Sequence, residues 1–195
     1  MVNKGKPQRR TNTTVLIVTN GELTEMTYLK KLKQMMRSHN GFTVTVREVK
    51  GDPMTIIKKL SNPCGDTSGF NEVWIVVDED GVDRTSFVST CAKKRKPGKW
   101  FGIVSRPCFE VWLIAHYEQV RNYQDQNDAQ EHFNKLASKR KTNKHLPDDF
   151  PFDSYRLACD QCQLQGAERV SAGELPPSPG TGMEHLVRRL LPVSE

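Results

Sequence analysis

Four short runs of apolar residues along the chain predict β-strands, at residues 14–19, 42–49, 72–78 and 100–104. The first and third runs are continuously apolar, which is typical of strands that are covered on both faces. The second run alternates apolar and polar residues, so we expect that strand to lie at a more exposed edge of the sheet.

Helical patterns occupy the segments between these runs. They cover residues 22–36, 52–60, 84–96 and 107–118. Because strands and helices alternate, the strands should be parallel and joined by right-handed crossovers. The sequence therefore predicts an α/β fold, with a mainly parallel sheet of about four strands between helices.

The pattern changes beyond residue 120, where we expect a C-terminal helical appendage. Its helices are predicted at residues 128–141, 152–171 and 182–191. Polar and proline-rich segments connect them. The chain then divides into a disordered basic arm (1–13), a core (14–120) and a C-terminal helical region packed on the core (121–195).

The charge balance of the chain indicates a polyanionic partner. Its 195 residues carry a net charge of +6, and the pI is about 9.1. Nucleic acid is the commonest such partner, although a basic protein without one is the alternative. No apolar run approaches the roughly 20 residues of a membrane span, and no apolar region follows the basic N-terminus as in a secretory signal. We expect a cytoplasmic protein with no membrane partner.

Five cysteines without regular spacing indicate reduced thiols and not a disulfide framework. Cys159 and Cys162 form a single CxxC pair. Because no second pair accompanies them, we interpret them as two ordinary thiols on one helical stretch and not as a zinc site.

Asp78 and Asp80 stand at the carboxyl end of the third predicted strand, where parallel sheets bind ligands. Side chains two positions apart on a strand point the same way, so these carboxylates should converge. Converging carboxylates repel each other unless a cation lies between them, and Mg²⁺ takes such ligands. The alternative is a polar turn built on Asp80 and Gly81.

Three glutamates are candidates for the same site. Glu22 and Glu25 follow the first strand and Gly21, three residues apart on one helix face. They approach the aspartates if the two strands are neighbours, and otherwise they complement the helix dipole. Glu110 lies among apolar residues, where a lone carboxylate is costly, so it either pairs with an arginine such as Arg106 or lines the site.

Two basic segments, residues 91–99 and 136–145, are candidates for phosphate contacts. The alternative for each is a solvated helix face. The first segment and the following strand supply the predicted nucleic-acid-binding residues: Lys93, Lys94, Arg95, Lys96, Lys99 and Arg106.

Four motifs resemble, in order, those of the RloB-like family. The segment VLIVTNGELTEMTYLKKL resembles the family's opening, which has an apolar strand, then Cys-Glu-Gly, then Thr-Glu. The segment VWIVVDEDG resembles the family's aspartate motif. Its Ser-Asn-Pro-Cys-Phe-Glu-x-Trp-Leu signature closely resembles SRPCFEVWLIAHYE. Its C-terminal Asn-Pro-Ser-Thr and helix resemble PSPGTGMEHLVRRLL. The matches extend from about residue 14 to residue 192.

This resemblance implies a Toprim-like fold, because the family is regarded as Toprim-like. In active Toprim members a glutamate after the first strand and a DxD after the third hold Mg²⁺ for phosphodiester chemistry. The resemblance also implies a role in bacterial anti-phage defence, often beside an ATPase partner, as a nuclease on DNA or on RNA such as tRNA.

One position departs from the family pattern, since Asn20 stands where the first motif has its glutamate. Asn20 can offer an amide oxygen to a metal, but it carries no charge and cannot act as a base. Asparagine is also a favoured helix N-cap. Either Glu22 or Glu25 takes over, or the protein is a binding or regulatory relative.

The leading hypothesis is a nuclease that depends on Mg²⁺ or Mn²⁺. The predicted metal ligands are Asp78, Asp80, Glu22 and Asn20. The predicted catalytic residues are Glu22, Glu25, Asp78, Asp80 and Glu110. The alternative is a catalytically weakened relative that binds nucleic acid or an ATPase partner, and either protein could form a homo-oligomer. An enzyme for small phosphate compounds is disfavoured, because neither GxGxxG nor GxxxxGK[ST] occurs.

Overall fold

A five-stranded, mostly parallel β-sheet lies between two layers of helices. We see this architecture in a computed structural model, which describes residues 12–36, 41–62, 66–96, 98–138 and 146–191. The α/β fold predicted from the alternation of strands and helices is confirmed, and the arrangement is consistent with a Toprim-like fold.

The strands follow the predicted apolar runs closely. They are β1 (Thr13–Thr19), β2 (Phe42–Glu48), β3 (Glu72–Asp78), β4 (Lys99–Arg106) and β5 (Gly180–Thr181). Their order across the sheet is β2-β1-β3-β4-β5, and the first four strands are parallel. β2, whose alternating pattern predicted an edge strand, lies at an edge. β5 was not predicted, and it pairs antiparallel with the end of β4.

The helices include two that are shorter than the sequence pattern predicted. They are α1 (Thr24–Met35), α2 (Pro53–Ser61), α3 (Thr85–Lys93), α4 (Glu110–Ile114), α5 (Gln126–Leu136), α6 (Tyr155–Gln161) and α7 (Met183–Leu190). The pattern at 107–118 yields the single five-residue helix α4. The pattern at 152–171 yields a 3-10 turn and α6, after which Gln163 bridges to Gly180. Over the described ranges, no helix is both long and apolar enough to cross a membrane.

Alternating side chains of the central strands divide the core into two layers. On β1, Val15 and Ile17 are fully buried in one layer, which also contains α1 and α4 to α7. Leu16 and Val18 are fully buried in the other layer, against α2 and α3. Burial on both faces explains why the β1 sequence is continuously apolar.

The C-terminal helix α7 is built into the same core as the sheet. Its apolar residues Met183, Leu186 and Leu190 are fully buried in the layer that contains α1 and α4. On its exposed side, the guanidinium of Arg189 donates to Oε1 of Glu72 at 2.6 and 3.0 Å, which ties α7 to the start of β3.

Parts of three predicted segments lie outside the described residues. These parts are residues 1–11 of the basic arm, residues 139–141 of the helix predicted at 128–141, and residues 139–145 of the second basic segment. The described helix α5 ends at Leu136.

Candidate functional site

Asp78 is the last residue of β3 and lies among other carboxylates at the carboxyl edge of the sheet. Burial raises the pKa of Asp78 well above its usual range. The nearby carboxylates of Glu25, Glu110 and Asp80 raise that pKa further, and a hydrogen bond from the backbone N–H of Phe109 opposes the rise. The structure thus brings together four of the five predicted catalytic residues.

Glu25 reaches the cluster from the first turn of α1. Its carboxyl group lies directly over Gly21, where an added Cβ would fall 2.1 Å from Cδ of Glu25. Burial raises the pKa of Glu25, and the charges of Glu110 and Asp80 raise it further, against a hydrogen bond from its own backbone N–H. The carboxyl group of Glu25 therefore occupies the space that a side chain at position 21 would fill.

Glu110 is the first residue of α4, and it lines the cluster. Its alternative partner Arg106 is engaged elsewhere, because the Arg106 Nε donates to Glu79 at 2.7 Å. The Cys108 thiol is buried next to Glu110, and its Sγ donates to the Gln126 carbonyl at 3.9 Å. Burial raises the pKa of the Cys108 thiol, and the charges of Glu110 and Asp78 add to the rise.

Asp80 is close to the cluster, but for a different reason than the sequence suggested. The strand ends at Asp78, so the alternation of strand side chains does not extend to Asp80. Asp80 and Gly81 instead have positive φ angles of 51° and 66° in a tight turn, closed by the Val82 N–H on the Glu79 carbonyl. The half-exposed Asp80 carboxylate lies 3.7 Å from the guanidinium of Arg84.

Glu22 points to a different neighbour. Its exposed carboxylate lies 2.6 Å from Nζ of Lys50, beyond the end of β2. Of the two glutamates that the sequence offered, Glu25 is the one that lies with Asp78. The prediction that both share one helix face is wrong, because α1 begins at Thr24 and leaves Glu22 outside the helix. Asn20 follows β1 directly and is partly buried.

The donors of this cluster fit a divalent cation in kind, but their side chains do not surround a single position. In the described part of the chain, no three His, Cys, Asp or Glu side chains are placed to hold a metal ion. Mg²⁺ and Mn²⁺ prefer carboxylate oxygens. The absence of a side chain at Gly21 leaves room for the carboxyl group of Glu25. Carboxylates that repel each other separate unless a cation lies between them, so binding would require Glu25, Asp78 and Asp80 to approach.

Comparison of the sequence with known protein families shows the family of this chain. A family model described as RloB-like protein matches residues 15–190, which is nearly the whole chain. The chain belongs to the RloB-like family. No curated protein and no solved structure matches it. The carboxylate cluster of this RloB-like chain is therefore described by its own geometry.

The first basic segment lies at the opposite edge of the sheet from the cluster. Lys99 pairs with Glu72 at the amino end of β4, whereas Ser105 pairs with Asp78 at the carboxyl end. Six positions separate Lys99 from Ser105, a distance of about 20 Å at about 3.3 Å per residue. Lys93, at the end of α3, and the residues after it precede that amino end. The predicted nucleic-acid-binding residues of this segment therefore lie away from the carboxylate cluster.

The individual side chains of that segment have local partners. The Lys94 Nζ lies 5.4 Å from the Trp100 ring centroid and donates to Ser61, and the Arg95 guanidinium donates to the Ala92 carbonyl. Lys93 and Lys96 are exposed. Of the six predicted nucleic-acid-binding residues, Arg106 is the one at the carboxyl edge.

Three polar side chains at the site of the RloB-like chain were not predicted. Cys108 stands in the third motif, two positions before Glu110, which is a usable signal. Arg84 stands four positions after Asp80, and its Nε donates to the backbone carbonyl of Asp78 at 3.1 Å. Lys50 follows β2, so the shared edge of parallel strands could have placed it near the site.

Proposed function

We propose that this RloB-like protein is a nuclease that depends on a divalent metal ion. The observation that carries the proposal is the proximity of four carboxylates, those of Glu25, Asp78, Asp80 and Glu110, in a chain of net charge +6. Two of these carboxylates, Glu25 and Asp78, have raised pKa values, which is typical of functional sites. Their position at the carboxyl edge of a parallel sheet also supports the proposal.

Glu25 and Asp78 would hold Mg²⁺ or Mn²⁺, and Asp80 would join them on leaving Arg84. The ion would supply a Lewis acid for a phosphate oxygen and lower the pKa of a bound water. Arg84, once Asp80 leaves it, would bind a non-bridging oxygen of the phosphate, and Arg106 would bind another on leaving Glu79.

Glu110 would act as the proton acceptor in this scheme. It is partly buried near Asp78, at the first position of α4. From there its carboxylate would accept a proton from an attacking water.

The family resemblance extends the proposal to biology. We propose that the nuclease acts as an effector in anti-phage defence, beside an ATPase partner, and cuts RNA such as tRNA or cuts DNA. These assignments rest on the family alone.

Cleavage assays with variants of the cluster test the proposal. Purified protein is incubated with tRNA, single-stranded RNA and DNA in Mg²⁺ or Mn²⁺. Asp78→Asn and Glu25→Gln should each lower the cleavage rate by at least about 100-fold, because loss of an outer partner of a metal ligand alone costs about 10–100-fold. Glu22→Gln is the matched control and should cleave within about twofold of wild type. Cleavage that persists unchanged in Asp78→Asn would rule the site out.

Asn20 favours a second candidate, a catalytically weakened relative that binds nucleic acid or an ATPase partner. The family motif has a glutamate at this position, and the described carboxylates do not converge on one metal position. This candidate predicts salt-dependent binding without cleavage by wild type. An Asn20→Glu variant that gains cleavage would support it, whereas cleavage by wild type would exclude it.

A further inference from the structure

A groove runs along the exposed face of α1, the helix whose first turn carries Glu25. One wall is formed by Thr27, Lys30, Lys31 and Gln34, and the other by Leu146, Pro147, Asp148 and Phe152. We call it the α1 groove. Its volume is about 320 Å³, at the small end of the range of ligand sites.

The helix wall of the α1 groove is entirely polar. Its four residues have the spacing i, i+3, i+4 and i+7, so they form one stripe on the helix surface. Lys30 and Lys31 are exposed, and the Lys31 Nζ lies 5.6 Å from the ring centroid of Phe152 across the groove. A cation and an aromatic ring therefore lie side by side.

These side chains match the parts of one nucleotide. The lysines carry positive charge for a phosphate, and the partly exposed Phe152 ring offers a surface for a base. Gln34 and Thr27 can donate or accept hydrogen bonds, while Asp148 can accept from a base amino group or a ribose hydroxyl.

A short series of ring contacts, in which Tyr28 and Phe109 are buried, lies between the α1 groove and the cluster. The Phe152 ring lies 5.7 Å from the Tyr28 ring, which in turn lies 5.8 Å from the Phe109 ring. The backbone N–H of Phe109 donates to Asp78. Lys31 also follows Glu25 by six residues on α1, about 9 Å along the helix axis.

We infer that the α1 groove binds a single strand of nucleic acid beside the helix that carries Glu25. The inference rests on the proposed function and names a surface that holds its substrate. A single strand is favoured because a base can stack on Phe152 only when it is free of its neighbours, and because the groove is too small for a duplex. Lys30 and Lys31 of α1 then make the phosphate contacts that the sequence predicted for residues 93–99.

The test measures binding without metal, so that it does not depend on cleavage. Labelled 15-nucleotide RNA and DNA strands, and the corresponding duplexes, are titrated in EDTA by fluorescence anisotropy. The double variant Lys30→Ala/Lys31→Ala should bind both single strands at least about 10-fold more weakly, with a salt slope smaller by about 1–2, as expected for lost phosphate contacts.

Lys93→Ala/Lys96→Ala is the matched control, with the same loss of charge at the opposite edge of the sheet. It should bind within about twofold of wild type. Phe152→Leu should weaken single-strand binding by about 5–10-fold with an unchanged salt slope, because base stacking is not electrostatic. Stronger binding of RNA than of DNA would support the inference and assign the ribose hydroxyl to the groove, and equal binding would support contacts to phosphate and base.

An equal loss in the two double variants would overturn the inference, since it would show diffuse attraction to a basic protein. Duplexes that bind as tightly as single strands would also overturn it. Failure of the proposed function has a different signature, in which wild type binds single strands through the α1 groove but does not cleave them in Mn²⁺.

Discussion

At the residue scale, Gly21 marks how closely the site is packed. Its backbone does not have a positive φ angle, so conformational freedom is not the reason for glycine here. The reason is the Glu25 carboxyl group that lies over its Cα. A side chain at position 21 would occupy the place of the Glu25 carboxyl group, so the two cannot be present there together.

Gly21→Ala should therefore move Glu25 out of the cluster while the fold survives. We expect Mn²⁺ affinity, measured by calorimetry, to fall at least about 10-fold, because one carboxylate ligand is displaced. Gly69→Ala is the matched control, since nothing lies within 4 Å of its added Cβ. Unchanged Mn²⁺ affinity in Gly21→Ala would show that Glu25 is not a ligand.

The raised pKa of Asp78 predicts a cost in stability at neutral pH. An unfolded aspartate titrates near pH 4, and the folded pKa is higher, so between these values the folded chain binds more protons than the unfolded chain. The free energy of unfolding therefore falls as pH rises through that window and stays lower above it. Asp78→Asn removes this fall.

We expect Asp78→Asn to be more stable than wild type at pH 8 in EDTA, by about 0.5–2 kcal/mol, and equal to it near pH 4. Urea denaturation at pH 4, 6 and 8 measures the difference. Asp83 serves as the control of opposite sign, because hydrogen bonds from Thr85 lower its pKa. An Asp78→Asn protein that is less stable than wild type at pH 8 would contradict the account.

Residue-scale prediction from the sequence succeeded where a strand or a motif fixed the position. Asp78 ends a buried apolar run, and Glu110 is set in the most specific motif. It failed for Glu22, because the first residue of α1 could not be located to within two positions and no cap marks it. The proximity of Cys108 to Glu110 depends on the turn before α4, which has no sequence period.

At the element scale, the parallel sheet was predictable because its strands are buried on both faces. The neighbouring positions of β1 and β3, on which the site depends, could be stated only as a condition, since strand order is a property of tertiary packing. β5 has two residues, Gly180 and Thr181, and is too short to show a hydrophobic period. The loop after α6 was wrongly predicted as helix. Its polar residues do not stop a helix by themselves, so the sequence did not show where α6 ends.

The attachment of α7 to the sheet also belongs to this scale. Glu72 is buried, accepts a hydrogen bond from the Trp74 indole N–H at 3.0 Å, and pairs with Arg189. Arg189 also lies 4.9 Å from the Phe42 ring on β2. One side chain of α7 therefore contacts two strands, and its removal leaves a buried carboxylate without its cation.

Arg189→Ala should lower the free energy of unfolding by about 2 kcal/mol. Loss of one partner of a fully buried ion pair costs about 3–5 kcal/mol, and Arg189 is nearly half exposed, so the effect should be smaller. Asp66→Asn, which weakens an exposed pair with Arg47, should change it by less than about 0.5 kcal/mol. Equal effects of the two variants in urea denaturation would show that α7 is not held by this pair.

At the scale of the whole molecule, the carboxylate cluster and the first basic segment lie at opposite ends of the parallel strands. Carboxylates gather at the carboxyl edge, and residues 93–99 place their positive charge at the amino edge. Net charge alone predicted a polyanionic partner but could not say which surface would bind that partner. The position of a basic loop segment depends on which end of a helix it follows. The family match over residues 15–190 shows that the chain is RloB-like and does not locate a substrate.

The central claim is that Glu25 and Asp78 can trap one divalent cation, and a crystal soaked in Mn²⁺ tests it most directly. We predict an anomalous peak about 2.0–2.3 Å from carboxylate oxygens of both residues, and its loss in Asp78→Asn crystals. A soaked crystal with no peak at the carboxyl edge of the sheet, or with Glu25 and Asp78 left apart, would contradict the account.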